Sequence, residues 1–105
     1  MNVGNPDIHN YLQPGKRVHL VGIGGVSMAS LAEVLHDADI KVTGSDQQES
    51  ATIWHLRNIG IPITIGHLPE NVQGADCVIR TAAVHDSNPE IAAARASGIP
   101  VFERA

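Results

Sequence analysis

The sequence predicts an α/β domain, Rossmann-like and three-layered, built on a five-stranded parallel sheet. Three observations lead there. Short β-branched runs alternate with amphipathic stretches along nearly the whole chain, the pattern of strands linked by crossover helices. The first run, "RVHLVGI", is apolar and bounded by glycine, as in a strand covered on both faces. It leads through a glycine turn, "GIGGVSM", into the helical spacing of "ASLAEVL". Right-handed crossovers leave few topologies. The expected strand order is 3-2-1-4-5, with ligands bound where the order reverses, between the first and fourth strands.

Each element has a local reason. Residues 1–15, with Pro6 and Pro14, read as a loose polar arm carrying one helical turn at "IHNYL", and residues 16–105 as the domain. Met28, Leu31, Ala32 and Leu35 recur at helical spacing after the glycine turn. "KVTGSD" is a second strand. "SATIWHLRNIG" is a helix with Ser50 as N-cap and Gly60 as its stop. "IPITI" is a third strand with Pro62 at its start. "GHLPENVQG" is a loop with one short helical turn, and "ADCVIRT" a fourth strand. Ser87 or Asn88, before Pro89, opens the helix "PEIAAARASG", and "IPVFERA" is a fifth strand.

Composition narrows the function. The 105 residues carry a formal net charge of -4 with scattered Lys and Arg, which argues against a nucleic-acid or membrane surface. An anionic ligand stays open, because backbone N–H groups bind phosphate without basic side chains. The single cysteine, Cys77, forms no intrachain disulfide; its apolar neighbours suggest a buried, inert thiol, and a cytoplasmic location is expected. No segment approaches the ~20 apolar residues of a membrane span, and the first residues do not read as a signal peptide. Six histidines show no close paired spacing, so no metal site is expected.

The strand order gathers residues 22–28, 44–47 and 80–86 into one cleft. Gly22 and Gly24 would turn the chain sharply and bring N–H groups against a phosphate at a helix N-terminus. Asp46 follows about twenty residues later, where dinucleotide folds place an acid on ribose hydroxyls. The dinucleotide fingerprint is incomplete, since Ser27 stands in its last glycine position. A ligand-free structural turn is the bland alternative, but such turns seldom need three glycines in four residues.

The strings "HLVGIGGVSMASLAEVL", "VTGSD", "IGH" and "RTAAVHDSNPEIAAARASGIPVFERA" resemble the N-terminal domain of the UDP-N-acetylmuramate–L-alanine ligases of the Mur ligase family, from Lys16 to the last residue. The resemblance implies a domain that binds the UDP part of UDP-N-acetylmuramate during peptidoglycan synthesis. ATP and magnesium would sit on a central domain absent here, and the amino acid would come with a third. In that family the sugar carboxylate is activated by ATP and attacked by the amine of L-alanine. The family's diphosphate loop matches Gly22, Gly24, Gly25, Val26, Ser27 and Met28. Ser45 and Asp46 match the uridine side, His67 the histidine of a Gly-His pair, and Thr81, Ala82 and Ala83 the small-residue loop beside the diphosphate. No catalytic residue is expected, because the ATP phosphate loop is missing. Oligomeric state is left open.

Other residues have simpler readings. His19 is a core or sheet-edge histidine, Trp54 a core residue and Glu33 a solvated one, while Arg80, closing the fourth strand near the cleft, reads as a snorkelling edge arginine with a ligand-facing role as the alternative. Glu90, in the first turn of its helix, is explained by the helix dipole. Two other functions stay in play: a nicotinamide-dinucleotide domain of an oxidoreductase, and a ligand-free assembly domain.

Overall fold

A computed structural model describes residues 7–104. The first six residues of the arm and Ala105 lie outside it. Five parallel strands run β1 Arg17–Val21, β2 Lys41–Asp46, β3 Ile63–Ile65, β4 Cys77–Thr81 and β5 Val101–Arg104, ordered β3-β2-β1-β4-β5. The helices are α1 Val26–Asp37, α2 Ala51–Asn58 and α3 Pro89–Ala96, with short 3-10 turns at Ile8–Asn10 and Pro69–Val72. The predicted topology is the observed one.

Alternation along the strands sorts the layers. Val18 and Leu20 of β1, Val42 of β2 and Cys77 and Ile79 of β4 pack with Met28, Ala32, Leu35, Ile53 and Leu56 of α1 and α2. On the opposite face Val21 and Val78 pack with Val72, Ile91 and Ala94, under α3 and the second 3-10 turn. β1 and β2 pair from Arg17 opposite Lys41 to Val21 opposite Ser45, so both strands end at the same level as the glycine turn.

The caps follow the sequence. Ser50 accepts a hydrogen bond from Ile53 N, and Asn88 rather than Ser87 caps α3 by accepting from Glu90 N. Gly60 and Gly98 take positive φ just beyond α2 and α3.

Two expectations give way. The described part of the arm is not loose: Asp7 caps the 3-10 turn, and Ile8, Tyr11 and Leu12 pack on the core, Tyr11 with its ring 5.8 Å from that of Phe102. Trp54 is not a core residue but 59% exposed. α2 turns Ile53 and Leu56 inward, which leaves position 54 outside, where the indole donates to Glu49 at 3.2 Å. Cys77 is buried, and burial, then the neighbouring Asp76, pushes its thiol up to about 12.

Candidate functional site

The glycine turn is built on the end of β2. Gly22 has φ +79°, and the N–H groups of Gly22 and Ile23 both donate to the Ser45 carbonyl, at 2.9 and 3.0 Å. Gly25 N closes the turn on Gly22 O at 3.1 Å. Gly25 is the N-cap of α1 and has no side chain to offer. The first helical bond runs from Ala29 N to Gly25 O, so the N–H groups of Val26, Ser27 and Met28 have no acceptor within the helix. Val26 is 90% exposed beside them. An uncapped helix start next to a glycine turn can take an anion.

The side chains around the turn are already engaged with one another. Asp46 accepts from Gly24 N at 2.9 Å and from Gln47 N at 2.7 Å. Its carboxylate therefore braces the turn. A Cβ on Gly24 would lie 2.8 Å from Asp46 Oδ2 and 3.1 Å from Ile53 Cδ1, which explains glycine there without any positive φ. Ser27 Oγ accepts from Arg104 Nε at 2.6 Å, leaving the hydroxyl hydrogen free to donate. Thr81 is half-buried at the end of β4; Ala82 and Ala83 are exposed in the turn that Val84 N closes on Thr81 O. The Val84 side chain comes within 3.6 Å of a Cβ built on Gly22, so the two loops abut.

His67 follows Gly66, whose N–H donates to Asp46 O at 2.8 Å. Its Nδ1 lies 2.6 Å from Glu90 Oε2 and 3.2 Å from Ser45 Oγ. Ser45 is fully buried and donates to the same Glu90 oxygen at 2.6 Å. The other oxygen, Oε1, receives His19 Nε2, and His19 Nδ1 lies 2.8 Å from Thr43 Oγ1. His19 is thus a core histidine on an interior strand. Glu90 corrects the dipole reading: it is fully buried and joins β1, β2, the loop after β3 and α3. Burial pushes its carboxyl up, but hydrogen bonds from His19, Ser45 and His67 outweigh this and hold it below the ordinary 4.5. The signal was present in the sequence: a histidine inside an apolar strand needs a buried partner.

Ser45, His67 and Glu90 are not a nucleophilic triad. Both Ser45 and Glu90 meet the same nitrogen of His67, and the Ser45 hydroxyl hydrogen already goes to the carboxylate. A triad needs the nucleophile and the acid on opposite nitrogens.

Arg80 is also corrected. β4 is an interior strand, and the Arg80 side chain is only 12% exposed, bonded to Asp86 and 3.8 Å from Glu103. The Arg80 hydrogen bond, then Arg95, lowers the carboxyl of Asp86. Glu33 is solvated as expected, paired with His55 at 3.1 Å. No helix is long and apolar enough to cross a membrane among the described residues.

Comparison with known proteins gives one consistent result. The family model "Mur ligase family, catalytic domain" matches residues 17–105. A UDP-N-acetylmuramate–L-alanine ligase of Legionella pneumophila is 52% identical over 90 residues, 86% of this chain and 19% of the relative. That of Sorangium cellulosum is 49% identical over 90 residues, with the same shares. The crystal structure of UDP-N-acetylmuramate-alanine ligase MurC from Thermotoga maritima matches with a TM-score of 0.81 at 40% identity, covering 84% of this chain and 20% of that one. The chain thus spans about a fifth of the length of these relatives, at 19%. With the strand order, the glycine turn at the switch point and these matches in agreement, the chain belongs to the Mur ligase family.

Proposed function

We propose that this chain is the N-terminal, UDP-binding domain of a UDP-N-acetylmuramate–L-alanine ligase, active in the cytoplasm in peptidoglycan synthesis. The observation that carries the reading is the uncapped start of α1, with the N–H groups of Val26, Ser27 and Met28 at the glycine turn. The diphosphate sits there, hydrogen-bonded by backbone N–H groups and favoured by the helix dipole. The exposed Ala82 and Ala83 leave room beside it. Asp46 and His67 lie on the uridine side of the cleft. The sugar and its carboxylate project past the strand ends toward the rest of a longer protein.

The residues present do not fit ATP and magnesium. The sequence has no Gly-Lys-Ser/Thr phosphate loop, and the described residues hold no group of three or more metal-ligating side chains. No step of the ligation is assigned to this chain. The oxidoreductase alternative finds no support, since the relatives compared are ligases.

Calorimetric titration with UDP, UDP-N-acetylmuramate, NAD and ATP tests the reading. UDP and the nucleotide sugar should bind with similar affinity, and NAD and ATP far more weakly. A folded protein that ignores UDP, or prefers NAD, overturns it.

A further inference from the structure

His67 is tied down at one ring nitrogen only. Nδ1 faces Glu90 and Ser45, whereas Nε2 makes no hydrogen bond to any of the described residues. Nor is Nε2 a buried atom: among the described residues, the buried side-chain polar atoms lacking partners are Arg17 Nε and Arg80 Nε. Nε2 therefore reaches solvent, in the loop that follows β3.

The identity of the hydrogen on Nδ1 follows from its partners. An ionised carboxylate only accepts, and the Ser45 hydroxyl spends its single hydrogen on Glu90 Oε2. Neither can donate to Nδ1, so Nδ1 carries the hydrogen. The far side of the network agrees: His19 donates through Nε2 to Oε1, which leaves its Nδ1 to accept from the Thr43 hydroxyl. Every member then has a donor matched to an acceptor. In a neutral imidazole the second nitrogen is an acceptor, so His67 with a neutral ring presents a lone pair, not an N–H, at Nε2.

We propose that Glu90 is a positioning residue that sets the tautomer of His67, so that Nε2 accepts a hydrogen bond from a donor on the bound nucleotide, either a ribose hydroxyl or the imide N–H of the base. The inference rests on the reading of the cleft as a UDP site and adds how that site discriminates: at this point it takes a donor and disfavours a carbonyl. Glu90 acts without touching the ligand, through Nδ1.

Two-bond proton–nitrogen correlation spectra of the 15N-labelled protein, recorded at about pH 8, read the protonation state and the tautomer directly, and an imidazolium at His67 overturns the proposal. His67 should carry its hydrogen on Nδ1. Adding UDP should shift Nε2 in the sense of an accepted hydrogen bond. The same Nε2 shift with N3-methyl-UDP, which lacks the imide N–H, assigns the donor to the ribose; a shift with UDP alone assigns it to the base. In Glu90→Ala the preference for Nδ1–H should disappear and UDP affinity should fall about tenfold, the scale of one lost hydrogen bond. If that variant does not fold, the parent spectrum still decides, because a His67 hydrogen found on Nε2 overturns the proposal. UDP that moves the amides of Gly24 and Ser27 but leaves His67 Nε2 unchanged also overturns it, while the UDP reading survives. UDP that moves nothing overturns both.

Discussion

Replacing Glu90 by alanine should cost about 3–5 kcal/mol of folding stability, because it takes the acceptor away from a set of buried donors. Three donors converge on this carboxylate: His19 Nε2, His67 Nδ1 at 2.6 Å and Ser45 Oγ at 2.6 Å. Each buried donor left without an acceptor costs about 1–3 kcal/mol. Simple addition overshoots, because the His67 side chain is 13% exposed and can turn toward water, and the polar void left by the carboxylate can admit a water molecule. Glu90→Gln keeps the volume and one acceptor, so about half the loss is expected, roughly 2 kcal/mol. Urea unfolding followed by circular dichroism gives the free energies by linear extrapolation. Glu33→Ala serves as the control: Glu33 belongs to an exposed pair with His55, and its removal should change stability by no more than about 0.5 kcal/mol. A loss below about 1 kcal/mol for Glu90→Ala would mean that the three donors find other acceptors, and the reading of this cluster as the tie between strands and α3 would fail.

Four further outcomes follow from the same geometry. Because the folded Glu90 carboxyl titrates below the ordinary 4.5, its stabilisation is complete above that value and is lost as pH falls through the folded one; the gap between parent and Glu90→Ala should therefore narrow on acidification in urea titrations, and a gap that widens contradicts the assignment. Gly24→Val should abolish UDP binding in a folded domain, since its Cβ would press on Asp46 Oδ2 from 2.8 Å and displace the carboxylate from the turn; calorimetry showing parental affinity would remove the turn from the site. Asp46→Asn keeps the shape but weakens the charge-assisted bonds to Gly24 N and Gln47 N, with an expected loss of UDP affinity of about tenfold or more; equal titration curves would show that the carboxylate neither braces nor binds. Cys77, buried and with its thiol pushed up to about 12, should react with an aromatic disulfide only on unfolding, so fast labelling of the native protein would contradict its burial.

The sheet was legible because its signals are local and agree with one another. The β-branched runs, the Ser50 and Asn88 caps and the glycines after α2 and α3 each specify an element, and right-handed crossovers do the rest. The glycine turn was legible for the same reason, being contiguous in sequence. What escaped were contacts fixed only by tertiary packing. Trp54 lies next to the inward-facing Ile53, and the helical phase of so short a segment does not say which neighbour points outward. The arm looked loose because Ile8, Tyr11 and Leu12 are few, yet they pack on the core beside Phe102. Glu90 is the instructive case. Following Asn88 and Pro89, it has a complete local explanation as a first-turn acid, and that explanation hid its partners, which lie 23 to 71 residues away.

The cluster around Glu90 bears on why the site is built as it is. Burying a carboxylate among two imidazoles is a poor route to stability, since apolar side chains of similar volume often do as well or better. A hydrophobic patch, however, would leave the loop after β3 free to settle in several packings. The carboxylate does not: each oxygen has a directed partner, and His67, Ser45 and His19 come from three different segments. Ser45 belongs to the same strand end whose carbonyl holds Gly22 and Ile23 and whose next residue holds Gly24. The buried network and the glycine turn therefore share β2 as a common base, with Ser45 facing one and Asp46 facing the other. A shift of the strand end that spoiled one would spoil both, so the relative placement of His67 and the α1 N-terminus is set by the sheet register itself, before any ligand arrives.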